Sequence, residues 1–286
     1  MTTDGLAVID KPAGMTSHDV VGRCRRVFGQ KKVGHAGTLD PDATGVLLVG
    51  LGRATRLMQY MTGLPKAYTT DIVLGVATST LDDSGEVTGT WDMSAVGIED
   101  ARAAAAKLTG TIQQVPPMVS AVKVDGRRLY QIAREGREVE RAARTVTVTR
   151  FDLEPAGAGV LRARVECSSG TYVRVLAEDL GRLLGGGAHV RNLRRSAVGP
   201  WTEHDAVGLD SVGPDCVVPP AAMLPWLEAA SVSGEVEEAV RHGRPLSGAQ
   251  LGTTGSGPWR VIGAGGELLA VYEPDRRVVL AGQAAT

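Results

Sequence analysis

Residues 34–45, Gly-His-Ala-Gly-Thr-Leu-Asp-Pro-Asp-Ala-Thr-Gly, set the strongest constraint on this chain. Gly34, Gly37, Pro41 and Gly45 break the backbone around one histidine and two carboxylates, and an apolar run from Val46 to Leu51 follows at once. The segment therefore predicts a glycine loop opening onto a buried strand or helix start. Loops held on a rigid scaffold are usual places for reactive groups. Pro41 disfavours a helical conformation at Asp40, so the Asp40 carboxylate is expected in an extended or turn geometry. Asp-Pro pairs also serve as plain turn starters, and this stretch alone leaves both readings open.

The rest of the chain decides what such a loop can serve. With 286 residues, 43% of them hydrophobic, it can build one large domain and a small one. No apolar run reaches the roughly 18 residues of a membrane span, and the start, Met1-Thr-Thr-Asp-Gly5, lacks the regions of a signal peptide. Cys24, Cys167 and Cys216 are far apart, which favours structural thiols in a reducing cytoplasm. Net charge is −1, but its distribution is uneven: residues 101–150 carry ten Lys/Arg against four Asp/Glu, and 161–200 carry seven against three. Such sectors can present a positive face to phosphates, or be ordinary solvated surface.

Leu6–Ile9 reads as a short buried strand. Thr16-Ser17 is placed to cap a helix over Asp19–Phe28, with Val20, Val21, Cys24 and Val27 on one face. A helix over Ala54–Met61 and a strand over Lys66–Leu74 follow, then a turn at Asp82–Gly85 and a helix over Ala101–Leu108. Ser120–Val124 reads as a strand, Thr145–Phe151 and Val160–Val165 as strands of one sheet, and Val175–Leu184 as a helix. Between them Arg127, Arg128, Arg134, Arg137, Arg141 and Arg144 surround Tyr130, a mixture that suits RNA backbone and exposed bases; packing by Leu129, Ile132 and Ala133 is the bland alternative. Pro214, Pro219, Pro220 and Pro225 mark a domain boundary, beyond which short strands suggest a small β-barrel or sandwich.

Several chemistries lack their parts. His35, Asp40 and Asp42 cluster without a second group to complete a metal shell. There is no Gly-x-Ser-x-Gly elbow and no phosphate-binding Gly-x-x-x-x-Gly-Lys-Ser/Thr loop. What remains is a carboxylate needing an arginine to hold it ionised and oriented, for which Arg174 is a candidate.

The segments Gly34–Gly45, Lys66-Ala-Tyr68 and Ser169-Gly-Thr-Tyr-Val-Arg174 together resemble the signature motifs of the TruB family, the tRNA pseudouridine-55 synthases. Ile9–Ser17, Pro117–Gly126 and Gly187–Arg195 resemble it too, in the right order across residues 5–200. The resemblance implies an α+β fold with a mixed, largely antiparallel sheet flanked by helices. Residues 1–222 would form the catalytic domain, with a basic RNA-gripping insertion near 120–145, and 223–286 a small PUA-like RNA-binding β-barrel. It implies Asp40 as nucleophile, Tyr68 stacking on the target base and taking part in proton transfer, and Arg174 paired with the aspartate. His35 would fill the place left by the flipped base, Tyr172 and Leu193 would shape the pocket floor, and Lys11 and Asp82 would join in substrate binding. Thr80-Leu81 departs from the commoner pattern before Asp82. The implied reaction turns the T-loop uridine of tRNA into pseudouridine. It is an isomerisation needing no metal, nucleotide or other cofactor, by a cytoplasmic monomer whose partner is the tRNA T-arm. Asp40 would attack C1′, attack C6, or remove a C2′ proton to give a glycal. A guide-RNA-dependent synthase of the dyskerin type and a non-catalytic RNA-folding protein are the competing readings.

Overall fold

The computed structural model describes residues 2–120, 123–124, 126–129, 132, 135, 137, 139–273 and 277–280. Its centre is a mixed sheet running, edge to edge, through Val207–Gly208, Gly5–Lys11, Thr44–Leu51, Ala188–Val198, Lys66–Leu74, Val160–Cys167, Arg144–Gly157 and Gly110–Gln114. Gly5–Lys11 with Val207–Gly208 and Thr44–Leu51 with Ala188–Val198 are parallel; the other neighbours on this path are antiparallel. The mixed, largely antiparallel α+β expectation is met.

The apolar run at 46–51 is explained by burial on both faces. Val46 and Leu48 enter one core, with Leu6, Val8, Met58 and Met61. Leu47, Val49 and Leu51 enter another, with Ala7, Ile9 and the helical Val20, Val21 and Cys24. A strand covered on both sides has no polar face to alternate with. Val160–Cys167, covered on one side, alternates buried and exposed along its length. Its inward residues pack under the helices Ile98–Lys107 and Val173–Leu183.

The first helix runs Ser17–Val27 behind a capping box: Thr16 Oγ1 accepts from the Asp19 amide, and Asp19 Oδ2 accepts from the Thr16 amide at 2.9 Å. Val27 faces partly outward, while Val20, Val21 and Cys24 are buried. The helix expected at Ala54–Met61 is a 3-10 segment, Gly52–Met58, continued by one α-turn, Gln59–Thr62. Within the segment read as a glycine loop, Val33–Ala36 is a strand paired with Thr44–Leu51, so His35 sits on a sheet opposite Val49. Pairing with the second edge of Thr44–Leu51 decides this against local breaker content.

The C-terminal region differs from the closed barrel expected of it. Among the described residues the C-terminal strands Glu228–Ser231, Trp259–Ile262, Leu268–Tyr272 and Arg277–Val279 form an open sheet in that order, with no pairing that closes a barrel. A helix, Gly234–Arg241, covers one face instead, its Val240 packed with Leu251, Trp259 and Leu269. The proline-marked boundary is not a separation of cores. Leu268, Val271, Val278 and Leu280 share one cluster with Leu6, Val46 and Met61. Arg53 and Arg56 donate to the carbonyls of Leu280 and Val279, and the Tyr60 hydroxyl meets Glu273 at 2.6 Å.

In the basic segment, Lys123–Val124 pairs with Arg127–Arg128 as a hairpin, Leu129 and Ile132 are buried, and Arg144 opens the strand Arg144–Gly157. Arg127 and Arg137 both meet Glu135. Tyr130, Ala133 and Arg134 lie outside the described residues.

Candidate functional site

A cavity of about 220 Å³ opens where the 37–45 loop, the strands Lys66–Leu74 and Ala188–Val198, and the start of helix Val173–Leu183 converge. Asp40, Tyr68, Tyr172, Arg174 and Leu193 all line it, with Lys66 and Arg195. Residues far apart in sequence meet here because Tyr68 is in register with Arg195 on one neighbouring strand and with Val165 on the other. Leu193 reaches the cavity from a register shift between Arg191 and Arg194, where Asn192 adopts a left-handed φ of 56°.

The backbone on each side of Asp40 is clamped. Ser17 Oγ accepts from the Leu39 amide at 2.8 Å and donates to the Leu39 carbonyl at 3.1 Å. Lys11 Nζ donates to the carbonyls of Pro41, Pro12 and Met15 at 2.8, 2.8 and 2.6 Å. Arg195 holds the outer ends of the loop, donating from Nε to the Val46 carbonyl at 2.7 Å and from Nη2 to that of Gly37 at 2.9 Å. Gly45 completes the clamp: its φ is +98°, and a Cβ there would fall 2.2 Å from the Arg195 carbonyl oxygen. Four separate elements thus fix one aspartate.

Lys11 was expected to contact substrate. It is fully buried, and its three ammonium protons are directed at three carbonyls, so it acts on the loop and leaves no proton for a phosphate. Burial lowers its pKa to about 8, against the opposing pull of Asp42 and Asp40. Lys11→Met is expected to strand those carbonyls and cost about 2–4 kcal/mol of stability, read as a fall in the urea midpoint. An unchanged midpoint would mean the clamp is dispensable.

Arg174 is the second organiser. Its side chain is only 4% exposed, and Nη2 lies 2.9 Å from Asp40 Oδ2. The pairing is not the two-pronged fork that the residue types suggest. Nη2 also donates to the Val119 carbonyl at 2.8 Å, Nη1 donates to the Thr80 carbonyl at 2.7 Å, and Nε faces Asp82 Oδ2 at 3.8 Å. Asp82 is therefore placed against the arginine. Its Oδ1 is taken by Thr80 Oγ1 at 2.6 Å and by Ser84 Oγ at 2.5 Å. Burial, joined by the negative charge of Asp82, pushes the Asp40 carboxyl above the ordinary aspartate range, and Arg174 opposes both. Asp40 keeps 41% side-chain exposure, so it faces the cavity mouth while its charge is held from behind.

Burial likewise raises the Tyr68 phenol, with the neighbouring Arg195 pulling the other way; it is a neutral group able to donate or accept a proton. Tyr172 sits at the N-cap of its helix, and the buried Gln114 brackets its backbone, accepting from the amide at 2.9 Å and donating to the carbonyl at 3.2 Å. His35 is on the flanking strand Val33–Ala36 and is not among the residues lining the cavity. Burial drives the thiols of Cys24 and Cys167 up to about 11, so neither is a thiolate nucleophile at neutral pH.

Sequence reasoning missed Gln114, Ser17 and the inward role of Arg195, which reads as one more basic residue in 191–195. Lys66 was visible only as the neighbour of Tyr68. It is buried beside Gly37, its ammonium on the carbonyls of Thr62 and Leu64, and burial lowers its pKa to about 8.

Comparison with known proteins identifies the family. Residues 25–173 match the model of the TruB family pseudouridylate synthase N-terminal domain, and 174–217 that of the tRNA pseudouridylate synthase B C-terminal domain. The chain is 45% identical over 288 residues to the tRNA pseudouridine synthase B of Mycolicibacterium paratuberculosis, covering 98% of this chain and 93% of that one. It is 53% identical over 220 residues to the protein of that name from Arthrobacter sp., covering 75% and 72%. Among solved structures it is similar to a chain of a Cbf5-Nop10-Gar1 complex, with a TM-score of 0.73 at 26% identity over 94% of this chain and 78% of that one. A chain from an H/ACA RNP bound to a substrate RNA shares the fold, with a TM-score of 0.70 at 23% identity over 94% and 77%. With family models spanning the cavity-forming elements and relatives matching nearly end to end, this chain belongs to the TruB family of pseudouridylate synthases.

Proposed function

We propose that this chain isomerises the T-loop uridine of tRNA, position 55, to pseudouridine, with Asp40 as the reacting carboxylate. The observation that carries the reading is the Asp40–Arg174 contact in a cavity that Tyr68 also lines, in a chain of this family. The reaction breaks the N1–C1′ bond, rotates the base and rejoins it through C5, which loses its proton as N1 gains one, so nothing is oxidised and nothing is consumed. Each of its possible openings (attack at C1′, attack at C6, or removal of a C2′ proton) starts from an ionised carboxylate, which Arg174 favours against burial. The base leaves its stack at a cost of a few kcal/mol, recovered by stacking on Tyr68 and by polar contacts. His35 fills the vacated stack from outside the cavity, Tyr172 and Leu193 shape the floor, and Asp82 acts through Arg174. The 120–145 segment grips the T-arm, the module at 223–286 is a PUA-like RNA-binding unit, and the enzyme works as a cytoplasmic monomer.

The test is pseudouridine mapping on tRNA and on a bare T-arm stem-loop after incubation with the purified chain. Modification at the T-loop position supports the reading. Modification only with an added guide RNA would favour the ribonucleoprotein type, the setting of the H/ACA RNP chain that shares the fold. Because the grip is assigned to arginines, log affinity for the T-arm should fall linearly with log salt. A filter-binding series should show a shallower slope, by about one, for each phosphate-contacting arginine removed from the segment. An unaltered slope in Arg137→Ala and Arg144→Ala would remove the segment from the interface.

A further inference from the structure

Thr80 and Asp82, which hold Arg174, belong to a turn with an uncommon backbone. Leu81 between them has φ +65°, a left-handed conformation that a leucine rarely adopts, so the surrounding contacts must enforce it. The Leu81 amide donates to the Thr78 carbonyl at 3.2 Å, and its carbonyl accepts from the Val190 amide at 3.0 Å. Asp83, which follows Asp82, has a different partner. Its Oδ1 lies 2.9 Å from Nε2 of His189, a buried residue of the strand Ala188–Val198, whose Nδ1 lies 2.9 Å from the Val76 carbonyl. A carbonyl and a carboxylate only accept, so each ring nitrogen faces an acceptor, and the ring is held from both sides.

We propose that His189 and Asp83 are a positioning pair: the imidazole, held between the Asp83 carboxylate and the Val76 carbonyl, tethers the 79–85 turn to the sheet, so that the Thr80 carbonyl and Asp82 keep Arg174 aimed at Asp40. The pair lies outside the cavity lining and touches no reacting atom. Asp83 is 51% exposed, and a pair of that exposure adds little to global stability. Its effect should therefore appear in the chemical step and not in folding. The rate readout rests on the functional reading above, so wild-type turnover is measured first and every variant is compared with it.

In single-turnover assays on the T-arm stem-loop, Asp83→Ala and His189→Phe are each expected to lower the maximal rate about tenfold with RNA affinity near native; Tm should stay near native in Asp83→Ala and fall in His189→Phe, which strands the Val76 carbonyl. The double variant should be little worse than either single one, as for two ends of one contact. Asp83→Asn should stay within about threefold of native, because its amide can donate to a singly protonated ring. Nitrogen-15 spectra should then show the His189 Nε2 resonance displaced between the wild type and Asp83→Ala, with Nδ1, on the Val76 carbonyl, little changed. Exchange of the Arg174 Nε proton should be faster in Asp83→Ala, a readout that does not need turnover. Native rates in Asp83→Ala, additive losses in the double variant, or unchanged Arg174 exchange would overturn the pairing. A wild type that makes no pseudouridine while the spectra hold would overturn the function and leave the tether standing.

Discussion

Replacing Asp40 by Asn is expected to abolish pseudouridine formation while leaving T-arm binding within about threefold of native. Asn is nearly isosteric, and its amide oxygen can still accept from Arg174 Nη2, now 2.9 Å from Asp40 Oδ2. The clamps on Leu39 and Pro41 act on backbone, so they survive the change. What is lost is the negative charge that every route to the isomer requires. A fall of at least about a thousandfold, near 4 kcal/mol of transition-state stabilisation, is expected. The measurement is base-resolution mapping of T-arm RNA after hours of single-turnover incubation, beside a binding isotherm. Detectable turnover by the variant would remove Asp40 from the role assigned to it.

Arg174→Lys should be nearly as damaging, for a reason that geometry supplies. The guanidinium serves Asp40, the Thr80 carbonyl and the Val119 carbonyl from two nitrogens and faces Asp82 with a third. An ammonium is one point and cannot span those positions, so at least one buried carbonyl loses its donor, at about 1–3 kcal/mol. Activity should fall by about a hundredfold or more. A pH signature should accompany it. In the native protein burial and Asp82 raise the Asp40 carboxyl, and Arg174 pulls it down. Weakening that pull raises it further, so the ionised fraction at a given acidic pH drops. The acid limb of the rate profile must then move to higher pH in the variant. A near-native rate with an unmoved limb would show that the Asp40–Arg174 contact does not govern the carboxylate.

Much of this was legible in the chain because local physics writes itself locally. Thr16 and Asp19 at capping-box spacing place a helix start wherever the rest goes. The alternation over Val160–Cys167 marks a one-faced strand, and the unbroken run after Gly45 marks burial on both sides. Asp40 stood out by the breakers around it, Tyr68 and Arg174 by their motifs, and these three do meet around one cavity. His35 was misplaced into a loop because its strand exists only by pairing with Thr44–Leu51. Where a barrel was read from the C-terminal strands, the described residues form an open sheet with a helix on one face, and that sheet shares its core with the N-terminal strands.

The roles of Lys11, Arg195, Gln114 and Ser17 were decided only by tertiary structure. Each makes hydrogen bonds to backbone groups, and most of those groups lie far along the chain: Pro41 for Lys11, Gly37 and Val46 for Arg195, Tyr172 for Gln114, Leu39 for Ser17. A peptide carbonyl is the same at every position, so a side chain that binds one leaves no complementary residue to be read. The sequence alone determined which segments fold and which aspartate is set apart. The packed sheet decided what holds that aspartate in place, because only there do unlabelled carbonyls acquire positions.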